Sequence, residues 1–383
     1  MVGKKRKILF ITERRADYSR LKPIMARVNE SKKLEMQLII TGMHLLKEFG
    51  ETKRDVERDG FKIDAVVKMF NENDRDDGAG MVKGMGRVLL SMPEAMRKLS
   101  PTVVFCGFDI GANFAAAICA MHMNIHVSHI QGGEVSGTID EVIRHALTKF
   151  AHIHFAATEK SRQRIIKLGE NPSYTFNVGS PSIDTINSLD YYPKEKIFKM
   201  YGLDPNKKLI ILLQHPVTTE INRVFNQISQ SITAIHDVDR RFKSQSIAIY
   251  SNNDAGGRLI VKKLKSSGIK VFPHIVFENF LRLMKVAGVL VGNSSAGIHE
   301  APSFGLPVVN IGSRQQFRER GINVIDVDSK KADIVRAIEK SLFDKGYIRK
   351  VKRGKNPYDN GPTAEKIVKI LEEIELPPIQ KVI

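Results

Sequence analysis

Two doubly wound α/β domains facing a central cleft are predicted by three observations: a length of 383 residues, short β-branched runs alternating with helical patterns, and a restart of that alternation past the midpoint. A chain this long exceeds one typical core and suits two domains of roughly 200 residues or fewer each. Short apolar runs separated by helix-length segments build parallel sheets, because each parallel crossover returns through a helix covering one face. In the first half strands are expected over 7–12, 36–41, 64–69, 102–107, 126–131, 152–158 and 174–179. After Leu189-Asp190-Tyr191-Tyr192-Pro193 the pattern begins again, with strands expected over 208–214, 246–250, 269–272, 288–291, 307–311 and 324–327. The restart places a boundary near residue 185. It gives an N-terminal domain over 1–185 and a C-terminal domain over 186–362, with a last helix over 363–375 and the tail to 383 packing back on the first domain. There is no short-period repeat or low-complexity segment.

Composition narrows the class. No apolar run approaches the roughly 20 residues of a membrane span, and the start, Lys4-Lys5-Arg6-Lys7, leads directly into Ile8-Leu9-Phe10-Ile11 without a secretory apolar region. Cys106 and Cys119 lie in apolar surroundings with no His or Cys at metal-ligand spacing, so reduced packing thiols are expected, with no metal and a cytoplasmic location. The 60 Lys+Arg against 42 Asp+Glu, a net +18, raise nucleic-acid binding as a rival reading. The cations are scattered over Lys4–Lys7, Lys262–Lys265 and Arg349–Lys355 without interleaved aromatics. The expectation is therefore a basic surface that attracts anionic metabolites, with neither nucleic acid nor membrane as partner.

In open α/β sheets ligands sit beyond the carboxyl ends of the strands, which directs attention to the residues just after each one. The richest stretch is Gly292-Asn293-Ser294-Ser295-Ala296-Gly297-Ile298-His299-Glu300. Strand-end amides, the hydroxyls of Ser294 and Ser295, a close backbone at Gly297 and the positive end of a following helix suit a diphosphate. Glu300 cannot share that phosphate and is suited to ribose hydroxyls; the alternative is a plain strand-turn-helix with capping serines. Arg14 and Arg15 follow the first strand, where a guanidinium meets a diphosphate with paired donors. Paired glycines in Gln131-Gly132-Gly133-Glu134 would let backbone approach a ligand, with Glu134 projecting from the loop. Thr138 and Glu141 form a capping-box pattern that leaves Asp140 without a structural task. Asp140 and Arg144 share a helix face, as a cleft-facing pair or a surface ion pair. Asp109 is either a helix cap or a third carboxylate. Crowded carboxylates raise one another's pKa, so that one donates a proton while another accepts one. His215, at the first strand end of the second half, is either structural or a donor to a leaving phosphate. His44, Asn252, Phe277 and Arg314 with Arg318 complete the inventory. No dinucleotide or Walker motif is present, so no bound cofactor is implied.

Thr41-Gly42-Met43-His44, the His129–His145 stretch, Gln214-His215-Pro216-Val217-Thr218-Thr219, Asn252-Asn253-Asp254-Ala255-Gly256, Gly292-Asn293-Ser294-Ser295 and Gly312-Ser313-Arg314-Gln315 together resemble the hydrolysing UDP-N-acetylglucosamine 2-epimerases of the sialic-acid branch. The resemblance runs through nearly the whole chain. It implies two Rossmann-like domains of the glycosyltransferase-B architecture and a homodimer. It also implies conversion of UDP-N-acetylglucosamine and water to N-acetylmannosamine and UDP, through a 2-acetamidoglucal and without a cofactor. By the same resemblance Asp109, Glu134, Asp140 and His215 match the catalytic positions. Arg15, Ser295, Glu300 and Arg314 match the UDP-binding ones, His44 lies near the sugar, and Asn252 and Phe277 flank the nucleotide.

Two departures stand out. Glu13 occupies a position where the family has a small residue, and Cys106-Gly107-Phe108-Asp109-Ile110 keeps the aspartate but puts Ile110 where an arginine would face the substrate. A less polar wall there suits a 6-deoxy, 4-acetamido sugar such as that of UDP-N,N'-diacetylbacillosamine. The open rivals are a glycosyltransferase on the same architecture, a non-hydrolysing epimerase and the nucleic-acid-binding protein.

Overall fold

A computed structural model describes residues 5–108 and 111–382, and every strand expected from the sequence is present, to within a residue or two at each end. The first sheet comprises β1 (Arg6–Thr12), β2 (Leu34–Thr41), β3 (Ala65–Val67), β4 (Val103–Gly107), β5 (His126–Ile130), β6 (Ile153–Ala156) and β7 (Thr175–Asn177), in the order β3-β2-β1-β4-β5-β6-β7. The second comprises β8 (Leu209–Leu213), β9 (Gln245–Ile249), β10 (Lys270–Phe272), β11 (Val289–Gly292), β12 (Val308–Ile311) and β13 (Val324–Val327), in the order β10-β9-β8-β11-β12-β13. All the pairings are parallel.

The central strands show why helices must cover both faces. Ile8 and Phe10 of β1 enter one core with Leu21, Ile24 and Val28 of the first helix, Arg15–Glu30, whereas Leu9 and Ile11 enter another with Val88, Met92 and Met96. The two-residue period of a strand sends neighbouring side chains to opposite faces, and both faces here are apolar. Strand β8 repeats the arrangement, with Ile210 and Leu212 on one side and Leu209, Ile211 and Leu213 on the other. Among the described residues no helix is long and apolar enough to cross a membrane. Both cysteines are buried and free, and burial pushes both thiols up in pKa.

Strand order reverses between β1 and β4 in the first sheet and between β8 and β11 in the second. These reversals open a crevice at the carboxyl ends, where the helices on either side diverge to opposite faces.

The boundary expected near residue 185 falls inside a helix, Pro181–Ser188. Ile183 and Ile186 belong to a core of the second sheet. Asp184 of the same helix accepts from the amides of Thr363 (2.9 Å) and Ala364 (2.6 Å), capping the last helix, Thr363–Glu373. That helix lies on the first sheet's core through Ala364, Ile367, Val368 and Leu371, and Arg6 donates to the carbonyls of Leu371 and Ile374. The outgoing and returning segments are themselves joined where Ser180 N donates to Tyr358 O (3.0 Å).

Asp184→Ala strips two amide acceptors from the start of the last helix. It is expected to lower stability by about 1–2 kcal/mol, the scale of a lost helix cap, read as a lower urea midpoint. An unchanged midpoint would mean that the helix docks by its apolar face alone.

Candidate active site

One cavity lies between the carboxyl edges of the two sheets. It is bounded by Arg15, Tyr18 and Arg20 from the first half and by His215, Asn252, Phe277, Ser294, Ser295, Glu300 and Arg314 from the second. A smaller, more polar cavity adjoins it, lined by Phe108, Gln131, Glu134, Ser136, Asp140, Arg144 and Arg318. Arg20, Ser295 and Arg314 border both. Most of the expected site residues therefore fall into two groups that share a wall. Asp109 and Ile110 lie outside the described residues, between the end of β4 and the helix Gly111–His122.

His215 is buried and its ring is held in one tautomer. Asn252 N donates to Nδ1 (3.1 Å), while Asn293 Oδ1 accepts from the His215 amide (2.7 Å) and Asn293 Nδ2 donates to its carbonyl (2.9 Å). Nδ1 is thus an acceptor, and Nε2 carries the proton. Burial, with Arg314, Arg15 and Arg14 adding repulsion, keeps the ring's pKa well below its ordinary value, so the imidazole is a neutral donor.

Glu134 is 3% exposed. Its Oε2 lies 3.2 Å from His299 Nε2 and 3.3 Å from Arg318 Nε. Burial alone would raise the carboxyl's pKa, but His299, Arg318 and Arg144 outweigh it and hold the group down at about 2. Among the described residues Glu134 Oε1 is buried with no hydrogen-bond partner, a position that an incoming donor or proton would satisfy. The loop behind it is tied by Arg144 Nη1, which donates to Glu134 O (3.0 Å) and Ser136 Oγ (3.3 Å). Asp140 pairs across the cleft with Arg314 (3.5 Å), and Glu141 accepts from Ser136 N (2.7 Å), reaching further back than the capping box requires.

Glu300 is 1% exposed; its Oε1 accepts from Arg20 Nε (3.3 Å) and Nη2 (3.2 Å), and its Oε2 has no hydrogen-bond partner among the described residues. Arg20 Nη2 also donates to Ser295 Oγ (3.2 Å). Arg20 was not singled out in the sequence, although it touches both cavities. Its only signal is its place in the helix that begins at Arg15, one turn and a step beyond that residue.

Several expectations need correction. The helix after the serines is a single turn, Ala296–His299, which passes into a 3-10 turn over Ala301–Phe304. Pro302 has no amide to continue the ladder and disfavours helix at the residue before it, so the helix dipole is short and positive charge at the loop comes from Arg20 and Arg314 instead. Gly297 lines neither cavity. A Cβ there would lie 2.7 Å from Val308 Cγ1, so its smallness serves packing on β12. Gly133, at φ +74, would bring a Cβ to 2.2 Å from Ser161 O, so its close approach is to protein backbone and not to a ligand. His44 also lies outside both cavities. Its ring bridges Thr12 Oγ1 (2.9 Å) and Thr52 Oγ1 (2.7 Å), and burial lowers its pKa to about 3. Arg15 does border the first cavity as expected, and it also donates to the carbonyls of Pro273 and Tyr250, both at 2.6 Å, tying the two halves together.

Glu13, the departure noted in the sequence, is buried and accepts from Ala112 N (2.9 Å), at the start of the helix after β4. Burial raises its carboxyl to about 7, against the pull of Arg14. The folded pKa is above the unfolded one, so folding takes up a proton and stability declines as pH rises from about 4.5 to about 7. Glu13→Gln keeps the acceptor and removes the charge. Its thermal midpoint should fall less than that of the wild type between pH 5 and pH 8, and parallel curves would mean that Glu13 remains ionised.

Known proteins match this chain over most of its length. The family model for UDP-N-acetylglucosamine 2-epimerase matches residues 26–372. The UDP-N,N'-diacetylbacillosamine 2-epimerase (hydrolyzing) of Legionella pneumophila is 36% identical over 375 residues, 97% of each chain. The UDP-N-acetylglucosamine 2-epimerase of Neisseria meningitidis is 35% identical over 340 residues, 88% of this chain and 87% of that one. In fold, the crystal structure of a UDP-GlcNAc 2-epimerase from Neisseria meningitidis bound to UDP-GlcNAc superposes with a TM-score of 0.82 at 18% identity, covering 95% of this chain and 99% of that one. The fold is the glycosyltransferase-B architecture, two Rossmann-like domains about a cleft, and the chain belongs to the UDP-N-acetylglucosamine 2-epimerase family.

Proposed function

We propose that the protein hydrolyses a UDP-linked 2-acetamido sugar with inversion at C2, releasing UDP and the free mannose-configured sugar. The observation that carries this reading is the junction of the two cavities. Glu134 and Asp140 occupy one, His215 and Glu300 occupy the other, and Ser295 and Arg314 belong to both. A nucleotide diphospho-sugar laid across the junction has its diphosphate at the serines and arginines and its sugar among carboxylates.

In the first stage a carboxylate takes the C2 proton, the C1–O bond breaks and UDP departs with the bonding pair, leaving a 2-acetamidoglucal. In the second, water oxygen bonds to C1 and gives up a proton while C2 takes a proton on its other face. Neither stage changes the net oxidation state, and no redox cofactor is needed. Glu134, with Oε1 buried at the cavity and in the ionised state that proton acceptance requires, is assigned to that step, and Asp140 to the second proton transfer. Asp109 joins them on the family resemblance. His215, with a neutral Nε2–H, suits stabilisation of the departing diphosphate. Ser294, Ser295, Arg15 and Arg314 are assigned to the diphosphate, Glu300 to the ribose hydroxyls, Asn252 and Phe277 to the flanks of the nucleotide, and Arg144 to support of the Glu134 loop. His44 is assigned to the scaffold behind Thr12. A homodimer working in the cytoplasm belongs to the same proposal.

Between the two sugars considered, Phe108 favours the less polar one. Its φ of +68 turns the backbone sharply after β4, and its ring borders the cavity of Glu134, with the Arg20 guanidinium 5.6 Å from its centroid. An aromatic edge there suits the 6-methyl of N,N'-diacetylbacillosamine better than the 6-hydroxyl of N-acetylglucosamine, which would lose a hydrogen-bond partner. The name of the Legionella relative supports the same choice.

Proton NMR in deuterated water, with each UDP-sugar in turn, tests both statements. The expected outcome is free product deuterated at C2 with UDP released, faster from UDP-N,N'-diacetylbacillosamine. A product still linked to UDP would replace hydrolysis with simple epimerisation, and faster turnover of UDP-N-acetylglucosamine would reverse the substrate order.

Glu134→Gln and His215→Ala are expected to lower kcat by roughly two or more orders of magnitude with the fold intact. Ser295→Ala and Arg314→Ala should weaken UDP binding more than they slow chemistry, as titration calorimetry with UDP would register. Unaltered UDP affinity in both would remove the diphosphate from this loop.

A further inference from the structure

We propose that Gly137 is a positioning residue: its missing side chain sets how closely the loop between Glu134 and Asp140 docks on the backbone of Ser313 and Arg314. That docking fixes the distance between the proton-transferring carboxylates and the diphosphate site. The proposal rests on the roles assigned above to Glu134, Asp140 and Arg314, and adds a residue to which no role has been given.

Gly137 belongs to the first half of the chain, but the atoms nearest the place of its absent side chain belong to the second. A Cβ there would lie 1.9 Å from Ser313 O, 2.9 Å from Ser313 C and 3.5 Å from Gln316 Cβ. Its φ lies outside the left-handed region, so its own backbone conformation is open to alanine. The need for glycine therefore comes from across the seam. Gly137 N donates to Arg314 O (3.2 Å), a backbone hydrogen bond between the halves. Each side of this contact is tied to its own half. On the first, Glu141 accepts from Ser136 N (2.7 Å), Arg144 Nη1 donates to Ser136 Oγ (3.3 Å), and Thr138 Oγ1 accepts from Asp140 N (3.3 Å). On the second, Ser313 Oγ donates to Glu220 Oε1 (2.5 Å), Gln316 N donates to Ser313 O (2.9 Å) and Gly312 N donates to Val327 O (2.9 Å). Neither segment yields alone without giving up these bonds, so an added methyl group is relieved most readily by parting the halves, by about 1 Å or more.

The contact sits among the groups that carry the reaction. Glu134 lies on one side of Gly137 in the chain and Asp140 on the other, and the Asp140 carboxylate meets Arg314 at 3.5 Å. Arg314 Nη1 donates to Asn293 O (3.4 Å), as does Gln315 Nε2 (2.9 Å), and the Asn293 side chain holds both the amide and the carbonyl of His215. A short run of bonds thus joins the carboxylates of one half to the arginine and histidine of the other, and Gly137 is where that run crosses the seam. Ion pairs alone would fix the crossing loosely, since Coulomb attraction falls off gradually with separation. A backbone oxygen lodged where a side chain would stand leaves no slack. The nucleotide groups Asn252, Phe277, Ser295 and Glu300 all belong to the second half and keep their mutual arrangement when the halves part.

The test compares wild type, Gly137→Ala and Glu134→Gln in the full-length protein. It follows kcat with UDP-N,N'-diacetylbacillosamine and with UDP-N-acetylglucosamine, UDP affinity by calorimetry, the thermal midpoint, and amide hydrogen exchange over residues 134–138. Expected for Gly137→Ala is a kcat lowered roughly 100-fold, the scale of a misplacement of about 1 Å, with UDP affinity within about threefold of wild type. Exchange over 134–138 should quicken, because the bond from Gly137 N to Arg314 O opens, while β11 at the diphosphate loop keeps its protection. A kcat near that of wild type overturns the proposal and leaves the roles of Glu134, Asp140 and Arg314 standing. Unchanged exchange despite lost activity does the same, as does UDP affinity lost in proportion to kcat. A variant that loses its thermal transition and UDP binding together also overturns it, since the glycine then serves folding. Wild-type protein that releases UDP from neither sugar, or full activity in Glu134→Gln, overturns the reading of function and this proposal with it.

Discussion

Charge complementarity across the seam between the two halves is the constraint on which the site depends. Arg14 meets Asp254 (3.1 Å), Arg20 meets Glu300 (3.2 Å), Lys22 meets Glu278 (2.6 Å), Arg314 meets Asp140 (3.5 Å) and Arg318 meets Glu134 (3.3 Å). In each pair one partner precedes the boundary helix and the other follows it. Removing either member from a buried pair strands the other's charge, which costs far more than the pair itself contributes. The cleft is therefore a place where cations are already neutralised by carboxylates of the opposite half. On the proposed function, a diphosphate entering it would compete with Glu300 and Asp140 for Arg20 and Arg314, making binding an exchange of anions and not the filling of a vacant positive pocket.

This seam explains the uneven legibility of the sequence. The strands were readable because apolar β-branched runs on a central parallel strand have no alternative burial. The strand-end rule then brought Glu134, Asp140, His215, Ser295, Glu300 and Arg314 to the two cavities. Arg20 and His299 escaped, since neither follows a strand directly. Arg20 reads as one more cation of a basic amphipathic helix, and His299 sits between Ile298 and Glu300 where a packing residue is the ordinary occupant. Partners from the other half of the chain give them their position, and local pattern carries no trace of that. His44 and Gly297 show the opposite case, lying outside the two cavities. Both stand in the right segments, but one bridges two threonines beneath β1 and the other makes room for Val308.

The helix at the boundary reflects a related constraint. A composition break at Leu189–Pro193 marks where the chain changes sheets, whereas Asp184, Ile183 and Ile186 show that the preceding helix already serves both halves. A segment bonded to two cores has no disordered or polar signature, which is what a linker search relies on.

The chain passes between the halves twice, and the two passages lie side by side. Ser180 N bonds Tyr358 O, Thr363 Oγ1 bonds Val178 O and Asp184 holds the start of the last helix. Mechanically this is a pair of adjacent pins. Rotation about the line through them leaves their mutual bonds intact, whereas sliding or twisting of one half against the other would shear those bonds. Of the relative movements of two such halves, the swing of a jaw is the one these bonds would permit, with the residues farthest from the pins travelling the greatest distance.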